Sequence, residues 1–361
     1  MKKIDKYILS KYLTTFFFCL LLFTAIVVVI DLSEKTDDFV KSKLSLGQII
    51  AQYYVGFIPR LDAMLFPLFV FISVIYFTSK MAERSEIVAI LSSGVSFRRF
   101  LFPYWIGGVF LGLLLLITNH FILPHANRIW GSFSAKYIDT NFGNVAGSTN
   151  NYYFRIDSNS YAGIRYYDTS SKTGSGFFIQ QFANNKMKYN LRAENISWDT
   201  ANKEWRLSQV AERFVVNDKD QIKYTYEKSV AYNFKPIDLR RDEYLKDRLP
   251  TKELNEYIRA EKLRGTEALG ALMVERYNRD AIPASVVILT IIGAVLASRK
   301  VRGGSGFHLA MGVVLSVLYI LFGRFAVVFA TKGNFTPFLA AWIPNIVFAF
   351  LCLYLYKKAP K

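Results

Sequence analysis

Residues 12–30 read YLTTFFFCLLLFTAIVVVI and contain no charged side chain. A helix needs about 20 mostly apolar residues to cross the hydrocarbon core of a bilayer, and this run has that length. Five more apolar runs occur along the chain, at about 53–78, 102–123, 282–297, 307–330 and 338–356. The sequence therefore predicts a polytopic α-helical membrane protein with six transmembrane helices, three on each side of a long polar interval.

Four clusters of basic residues next to these runs indicate the orientation of the chain, which has a formal net charge of +17. The clusters consist of Lys2, Lys3, Lys6 and Lys11; Lys80, Arg84, Arg98 and Arg99; Arg299, Lys300 and Arg302; and Lys357, Lys358 and Lys361. They fall at alternate ends of the spans, as the positive-inside rule expects of cytoplasmic segments. We expect cytoplasmic termini and an external polar interval. Because the charge is placed for a membrane, we do not expect nucleic acid as a partner.

The polar interval, 124–280, is predicted to be an inserted β-domain with connecting helices, between a first membrane region at 1–123 and a second at 281–361. Segments with alternating aromatic or β-branched residues are separated by clusters of Asn, Asp, Gly and Ser. The predicted strands are Tyr152–Ile156, Tyr161–Tyr167, Gly176–Phe182, Lys188–Trp198, Glu204–Val216 and Ile222–Phe234. This pattern is typical of an antiparallel sandwich, jelly roll or similar sheet. From Pro250 to Asp280, helical spacing predicts one or two amphipathic helices leading back to the membrane.

No arrangement of residues in the sequence indicates catalysis. His120, His125 and His308 do not form one cluster in the predicted topology, and both cysteines lie inside spans. The Gly-rich stretch 302–306 lacks the Lys-Ser/Thr of a phosphate-binding loop and is expected to be a tight loop. We predict a protein that is not an enzyme and has no cofactor or metal site. Active transport would then need another subunit or an ion gradient.

The cytoplasmic stretch between the second and third spans, 80–99, predicts a short helix. Ser85 is placed to cap it, Glu86 lies in the first turn, where the helix dipole favours a negative charge, and Gly94 suits its end. With apolar residues on one face, such a helix suits either docking into a groove on a partner or lying on the membrane. Acid at Glu83 and Glu86 disfavours the second alternative, because anionic headgroups repel it.

Several basic residues lie near the outer ends of the spans: Lys35, Lys41, Arg60, Arg128 and, a few residues inside the fifth span, Arg324. An ionisable residue within a span is a functional candidate. For Arg324 the alternative is that a long side chain reaches the outer headgroups. For the external lysines the alternative is ordinary solvated charge.

Five short motifs in a fixed order give the chain a recognisable pattern. They are Ile4-Asp-Lys-Tyr-Ile, Arg84-Ser-Glu-Ile-Val-Ala-Ile-Leu-Ser-Ser-Gly, Trp198-Asp with Trp205-Arg-Leu, Glu275-Arg-Tyr-Asn-Arg-Asp-Ala-Ile-Pro and Ala341-Trp-Ile-Pro-Asn. With three spans on each side of the insertion, the chain resembles the LptF/LptG (YjgP/YjgQ) family of permeases from the lipopolysaccharide export ABC transporter. The opening motif looks more LptG-like than LptF-like.

The resemblance implies a fold, a location and partners. It implies six spans with a periplasmic β-jelly roll, in the bacterial inner membrane. The implied partners are a cytoplasmic LptB ATPase dimer, a second LptF/LptG-type permease and an LptC-like bridge protein. The implied activity is extraction of lipopolysaccharide from the outer leaflet and its delivery to the periplasmic bridge.

The resemblance also implies roles for the two groups of residues described above. The short helix, near 82–93, would be the coupling helix that contacts the ATPase, with Glu83, Arg84, Glu86, Ile87, Leu91 and Gly94 as its candidate residues. An anionic lipid head with many acyl chains needs an apolar cavity topped by cations. The candidate lipid-binding residues are therefore Lys35, Lys41, Arg60, Arg128 and Arg324, of which Arg324 matches no position of the family pattern.

Two other classes of function fit a membrane protein with an outer β-domain. A receptor or sensor would bind a ligand on that domain, but it would need a cytoplasmic output module, and the chain leaves only short loops inside. A membrane enzyme acting on lipids would need a polar catalytic cluster at the membrane surface, and the sequence shows none.

Overall fold

The computed structural model describes residues 3–138, 148–157, 159–169, 171–183, 186–216, 219–239, 245–264, 269–299, 304–333 and 335–359. The chain divides into two compact units. The helical unit consists of Met1–Gly131, Lys246–Leu254 and Gly270–Lys361, and the β-unit of Ser132–Leu245 and Asn255–Leu269. The Gly-rich loop predicted at 302–306 begins outside the described residues.

The helices occur in two groups along the chain. The first group is α1 (Lys3–Glu34), α2 (Thr36–Ser42), α3 (Leu46–Ile49), α4 (Val55–Glu83), α5 (Glu86–Ser92), α6 (Phe97–Ile117) and α7 (Leu123–Phe133). One-turn π-helices join α3 to α4 (Ile50–Tyr54) and α6 to α7 (Thr118–Ile122), and a third follows α7 (Ser134–Ile138). The second group is α8 (Leu245–Arg248), α9 (Thr251–Arg264), α10 (Leu269–Ala297), α11 (Gly304–Lys332) and α12 (Pro337–Lys358).

Six helical segments of the described chain are long and apolar enough to cross a membrane, which confirms the predicted six spans. Their ends differ from the prediction. The helix of the third span continues through α7 instead of ending at Leu123, and α10 begins at Leu269, well before the apolar run at Ile282. The reason is that polar turns at the membrane surface can continue a helix without adding to the apolar run that identifies it.

Small residues and hydroxyl groups join the membrane helices. A Cβ on Gly107 would lie 2.6 Å from the ring of Tyr12, so this glycine lets α6 approach α1 closely. The hydroxyl of Tyr12 forms a 3.1 Å hydrogen bond with that of Thr290 on α10. Thr78 on α4 donates to the Tyr104 hydroxyl on α6 at 2.8 Å. Small residues at contacts and hydrogen bonds between helices are typical of packing in lipid, where apolar burial contributes little.

The β-unit contains one antiparallel sheet, and its strands follow one another in the order β1 to β6. They are β1 (Ser148–Arg155), β2 (Ser160–Asp168), β3 (Thr173–Ala183), β4 (Lys186–Asp199), β5 (Glu204–Val216) and β6 (Lys219–Val230). The inserted antiparallel β-domain is therefore confirmed. Each predicted strand matches an observed strand, although β6 ends before Phe234.

The sheet has a crease at which the pairing of neighbouring strands is interrupted. The crease is one aligned row of residues: Arg165, Gly176, Glu194, Gln209 and Tyr226. Gly176 and Gln209 have φ angles of 68° and 52°, which lie in the left-handed region. Ala193 and Ile196 are both buried, although a regular strand would place residues three apart on opposite faces. The crease therefore shifts the inward–outward alternation of the side chains without shifting the register of the strands, and it keeps apolar residues on the same side of the sheet.

The buried side of the sheet is closed by aromatic residues. Trp205 is fully buried, and its indole nitrogen donates to the carbonyl of Phe234 at 2.8 Å. The Phe234 ring lies 4.8 Å from that of Phe154 and 6.2 Å from that of Phe177. The segment after β6 thus covers the apolar face. Trp205 is therefore a core residue of the β-unit.

One buried acid on this side of the sheet is fully paired. Glu212 is 5% exposed and accepts hydrogen bonds from Lys228 at 2.6 Å and from the Tyr189 hydroxyl at 2.5 Å. Burial alone raises the pKa of this carboxyl, but the two hydrogen bonds outweigh burial and hold its pKa below the ordinary value. A carboxyl with a lowered pKa stabilises the fold above its unfolded pKa, and that stabilisation disappears as the pH falls through the folded value.

We predict that Glu212→Gln lowers the free energy of unfolding of the purified chain by about 1–3 kcal/mol at pH 7, because a charged hydrogen-bond acceptor is lost. The difference from the wild type should shrink as the pH falls below about 4.3, where the unfolded carboxyl becomes protonated. Denaturant unfolding followed by tryptophan fluorescence measures both effects. Asp220→Asn is the matched control, because the Asp220–Arg213 pair is exposed and should contribute little. A Glu212 variant as stable as the control would contradict the prediction.

Candidate functional site

Lys35 lies between α1 and α2, and its charge is paired. The Lys35 ammonium lies 2.6 Å from Asp31 Oδ1 and also donates to the Tyr53 hydroxyl. Its Nζ lies 4.9 Å from the centre of the Tyr53 ring and 5.4 Å from that of Phe57. Burial lowers the pKa of Lys35, but the hydrogen bonds with Asp31 and Tyr53 outweigh burial and raise it above the ordinary value. Lys35 is therefore charged, and a neighbouring anion balances that charge.

Aromatic residues build the pocket around Lys35. Phe39 on α2 packs against Tyr53 at 5.3 Å, and the rings of Tyr53 and Phe57 stack at 5.4 Å. Tyr53 and Phe57 are four residues apart on the helical stretch that begins the second span, so they lie on the same face. Rigid rings on two sides limit the positions that the Lys35 side chain reaches.

Arg60 lies further along the same helix and extends this surface. Its guanidinium lies 4.1 Å from the centre of the Trp130 ring on α7. A Cβ on Gly56 would lie 2.6 Å from the Trp130 backbone nitrogen, so the glycine allows this close approach of α4 and α7. Phe57 and Arg60 are three residues apart on α4, so the pairs Lys35–Phe57 and Arg60–Trp130 lie near each other at the ends of the first three spans opposite α5. We call Lys35, Phe57, Arg60 and Trp130 the cationic strip.

The other three predicted cations are more exposed. Arg128, two residues before Trp130, lies 3.9 Å from Glu253, and both side chains are more than half exposed, so this pair contributes little. Lys41 is exposed in the last turn of α2, next to the buried Phe39. Arg324 is exposed on α11. Within the described parts of the chain, neither Lys41 nor Arg324 forms an ion pair, and no contact joins Arg324 to the cationic strip.

A partly buried polar network near the cationic strip was missed by the sequence analysis. His120 bonds to Asp280 through Nε2 at 2.9 Å and to the Thr251 hydroxyl through Nδ1 at 2.9 Å. Arg279, which is 3% exposed, donates to Thr251 at 3.0 Å and to the Lys246 carbonyl at 2.9 Å. These bonds fasten the segment 246–251 to α6–α7 and α10. Arg279 and Asp280 belong to a motif that supported the family resemblance, and their spacing gave no sign of this network.

The short helix predicted between the second and third spans forms as α5, but the predicted cap at Ser85 is wrong. Ser85 has a φ of 61° and makes no side-chain capping hydrogen bond, because it forms the left-handed turn between α4 and α5. Gly94 ends the helix as predicted, with a φ of 85° and a 3.0 Å bond from its N–H to the Leu91 carbonyl. A tight turn therefore replaces the predicted cap.

The two faces of α5 have different roles. Ile87 is 2% exposed and belongs to the core of the helical unit, and Leu91 packs against that core. These side chains hold the helix to the bundle, so the apolar stripe that was expected to dock on a partner faces inward. Glu83, Arg84 and Val88 are exposed.

Glu86 joins α5 to the first span. The Tyr7 hydroxyl on α1 donates to Glu86 Oε2 at 3.2 Å, and Arg84 lies 3.9 Å from Glu86 Oε1. Close by, Arg99 at the start of α6 forms a 2.6 Å ion pair with Asp5 of α1. The N-terminal end of α1 is therefore tied both to α5 and to α6.

The comparisons with known proteins agree with this architecture. Residues 6–358 match the family described as lipopolysaccharide export system permease LptF/LptG. The chain is 23% identical over 366 residues to the lipopolysaccharide export system permease protein LptG of Escherichia coli K12, with 98% of each chain covered. The LptG protein of Escherichia coli O6:H1 matches to the same extent. Since the family match includes both the six membrane-spanning helices and the inserted β-domain, this chain belongs to the LptF/LptG family of lipopolysaccharide export permeases.

Proposed function

We propose that this chain is the LptG-type permease of an ABC transporter that extracts lipopolysaccharide from the outer leaflet of the inner membrane. The observation that supports this most strongly is the family match over residues 6–358, which leaves neither the membrane helices nor the β-domain unmatched. The energy comes from a separate ATPase, an LptB-type dimer, and a second LptF/LptG-type permease completes the membrane part. The chain itself is the non-catalytic transmembrane subunit.

In this proposal the termini are cytoplasmic and the β-unit is periplasmic. The basic clusters at alternate ends of the spans support this orientation. The β-unit then passes lipid to an LptC-like bridge protein. Strand β6, which pairs on one side with β5, has exposed apolar side chains at Ile222, Tyr224 and Tyr226. An edge strand of this kind suits addition of a strand from a partner sheet.

We predict that a cysteine in the β4–β5 turn, introduced as Ala201→Cys, reacts with a membrane-impermeant maleimide added to intact spheroplasts. The background is a chain with Cys19 and Cys352 replaced by serine. Ser92→Cys on α5 is the matched control and should react only after the membrane is opened. Labelling of the Ser92 variant alone in intact spheroplasts would reverse the orientation.

Helix α5 is proposed to be the coupling helix. It is anchored to the bundle through Ile87 and to α1 through Glu86, while Glu83, Arg84 and Val88 face outward. A short helix held this firmly transmits a push from a partner to the membrane helices. Glu86 is 30% exposed in its side chain, which leaves its carboxylate accessible to a basic residue of the ATPase.

We predict that Glu86→Lys reduces ATPase copurification and lipopolysaccharide export at least tenfold, because it reverses the charge offered to the ATPase and opposes the helix dipole. Tyr7→Phe is the control, since it removes the intramolecular hydrogen bond to Glu86 and leaves the carboxylate in place. A basic-to-acidic change in the ATPase should restore export to Glu86→Lys if the contact is direct. Normal binding and export by Glu86→Lys alone would disprove the coupling role.

The cationic strip, together with Lys41, Arg128 and Arg324, is proposed to bind the phosphates of the lipid. Opposite charges attract more strongly in a partly desolvated site than in water. Lys35 and Arg60 lie against aromatic rings, which exclude water from one side of each cation. The exposed apolar residues of α1, such as Phe18, Leu21 and Val29, are available to acyl chains or to the second permease.

We predict that Arg60→Glu lowers lipopolysaccharide crosslinking and lipid-stimulated ATP hydrolysis by the whole complex about tenfold, the effect of losing one charged hydrogen bond. Lys203→Glu, in an exposed turn of the β-unit, is the control for a change of net charge and should have little effect. Unchanged activity in charge reversals of all five candidate residues, Lys35, Lys41, Arg60, Arg128 and Arg324, would remove the lipid-binding role.

A further inference from the structure

The pairing of Lys35 differs from that of the other candidate cations. Asp31, one helical turn before Lys35, is the anion that balances it at 2.6 Å, and the Asp31 side chain is 8% exposed. The Tyr53 hydroxyl donates to the same oxygen of Asp31 at 3.1 Å and also accepts from Lys35. The three groups therefore form a closed triangle in which each contacts the other two. Nearby Glu34 and Asp37 are exposed on the helix surface, so burial distinguishes Asp31 from them.

A phosphate that binds Lys35 must compete with Asp31. Both anions would bind the same ammonium, and a lone carboxylate left behind would be costly to keep buried. Tyr53 lowers this cost, because its hydroxyl continues to donate to Asp31 after Lys35 has moved to the phosphate. The exchange is therefore feasible, and it favours only an anion that attracts Lys35 more strongly than a carboxylate does.

The charge of the lipid phosphate decides whether it attracts Lys35 more strongly than the Asp31 carboxylate does. A phosphate monoester carries about −1.5 to −2 at pH 7 and has three acceptor oxygens. A phosphate diester, as in ordinary glycerophospholipids, carries a single negative charge, the same as the carboxylate it would replace. When Lys35 leaves Asp31 for a phosphate diester, it gains little, and Asp31 is left buried without its cation. When Lys35 leaves Asp31 for a phosphate monoester, the stronger ion pair offsets that cost.

We propose that Asp31 is a specificity-determining residue, an internal counter-ion that limits Lys35 to lipids bearing a phosphate monoester and excludes phosphodiester lipids. The proposal rests on the lipid-binding role proposed for Lys35. It adds that selection among membrane lipids comes from the acid paired with the cation as well as from the cation.

The test compares two lipids on the complex purified with its native partners in phosphatidylcholine nanodiscs. The probes are diphosphorylated lipid A, which has phosphate monoesters, and phosphatidylglycerol, which has a diester. Binding of labelled lipid A and its displacement by phosphatidylglycerol give an affinity and a selectivity ratio. For Asp31→Asn we expect about a tenfold loss of selectivity, because phosphatidylglycerol competes better while lipid A still binds. Asp31→Glu, which keeps the charge, should retain most of the selectivity.

Lys35→Ala distinguishes the lipid-binding role of Lys35 from the counter-ion role of Asp31. It should weaken lipid A binding, and Asp31→Asn combined with Lys35→Ala should behave like Lys35→Ala alone, because Asp31 acts through the lysine. If Lys35→Ala weakens binding but Asp31→Asn leaves the ratio unchanged, the counter-ion proposal is wrong and the lipid-binding role stands. If Lys35→Ala leaves lipid A binding unchanged, both fail at this residue.

Tyr53→Phe provides a second variant if Asp31→Asn does not accumulate in the membrane. Without the hydroxyl that remains with Asp31 after the exchange, abandoning the carboxylate becomes more costly. Lipid A affinity should then fall several-fold, while phosphatidylglycerol, which does not drive the exchange, competes no better. Lipid A affinity equal to that of the wild type in Tyr53→Phe would overturn the proposal.

Discussion

The arrangement of the helical unit depends on how α1 is attached to the other helices. Its buried residues are few: Asp5, Ile8, Tyr12, Phe16 and Asp31. In lipid, apolar contacts between helices gain little over contacts with acyl chains, so polar contacts determine how such a helix is placed. Besides the bond of Tyr7 to Glu86 on α5, such contacts are spaced along the length of α1: Asp5 with Arg99, Tyr12 with Thr290, Thr24 with Asp62, and Asp31 with Tyr53. Each one joins α1 to a helix of another span.

These attachments give α1 a part in connecting the two ends of the unit. Tyr7 near its N-terminal end holds Glu86 of α5, and Asp31 near its C-terminal end holds Lys35. Tyr7 and Asp31 are separated by about 36 Å along α1, which is an uninterrupted helix. Under the proposed function, a displacement of α5 by the ATPase moves the same helix that carries the counter-ion of Lys35. In these proposals, α1 is the one element that links the pairing proposed to select the lipid with the contact proposed to receive the energy.

The sequence predicted the elements of this fold better than their contacts. The six membrane spans were predictable from the length of their apolar runs. The six strands were predictable from alternating side chains and the turn residues between them. The turn at Ser85 and the inward position of Ile87 depend on how α5 meets the core. The bond between Asp31 and Tyr53 joins residues 22 apart in sequence. The ion pair of Lys35 with Asp31 is a contact between residues four apart, which the sequence analysis did not consider, and only the Tyr53 hydroxyl adds a tertiary contact to it.

Tertiary contacts also determine what covers the apolar face of the β-unit. Its apolar face is not an open trough in this structure, because Tyr232 and Phe234, stacked at 5.5 Å, fill it together with Trp205. The bond from the Trp205 indole to the Phe234 carbonyl fastens that cover. Under the proposed function, acyl chains that follow this face would first have to displace the segment after β6, which would expose Trp205 and break its hydrogen bond. The displaced rings and the entering chains are both apolar, so the exchange costs mainly that one bond and the ordering of the segment. In that proposal, passage of lipid along the inner face would exchange one apolar filling for another, and Phe234 would be among the residues displaced.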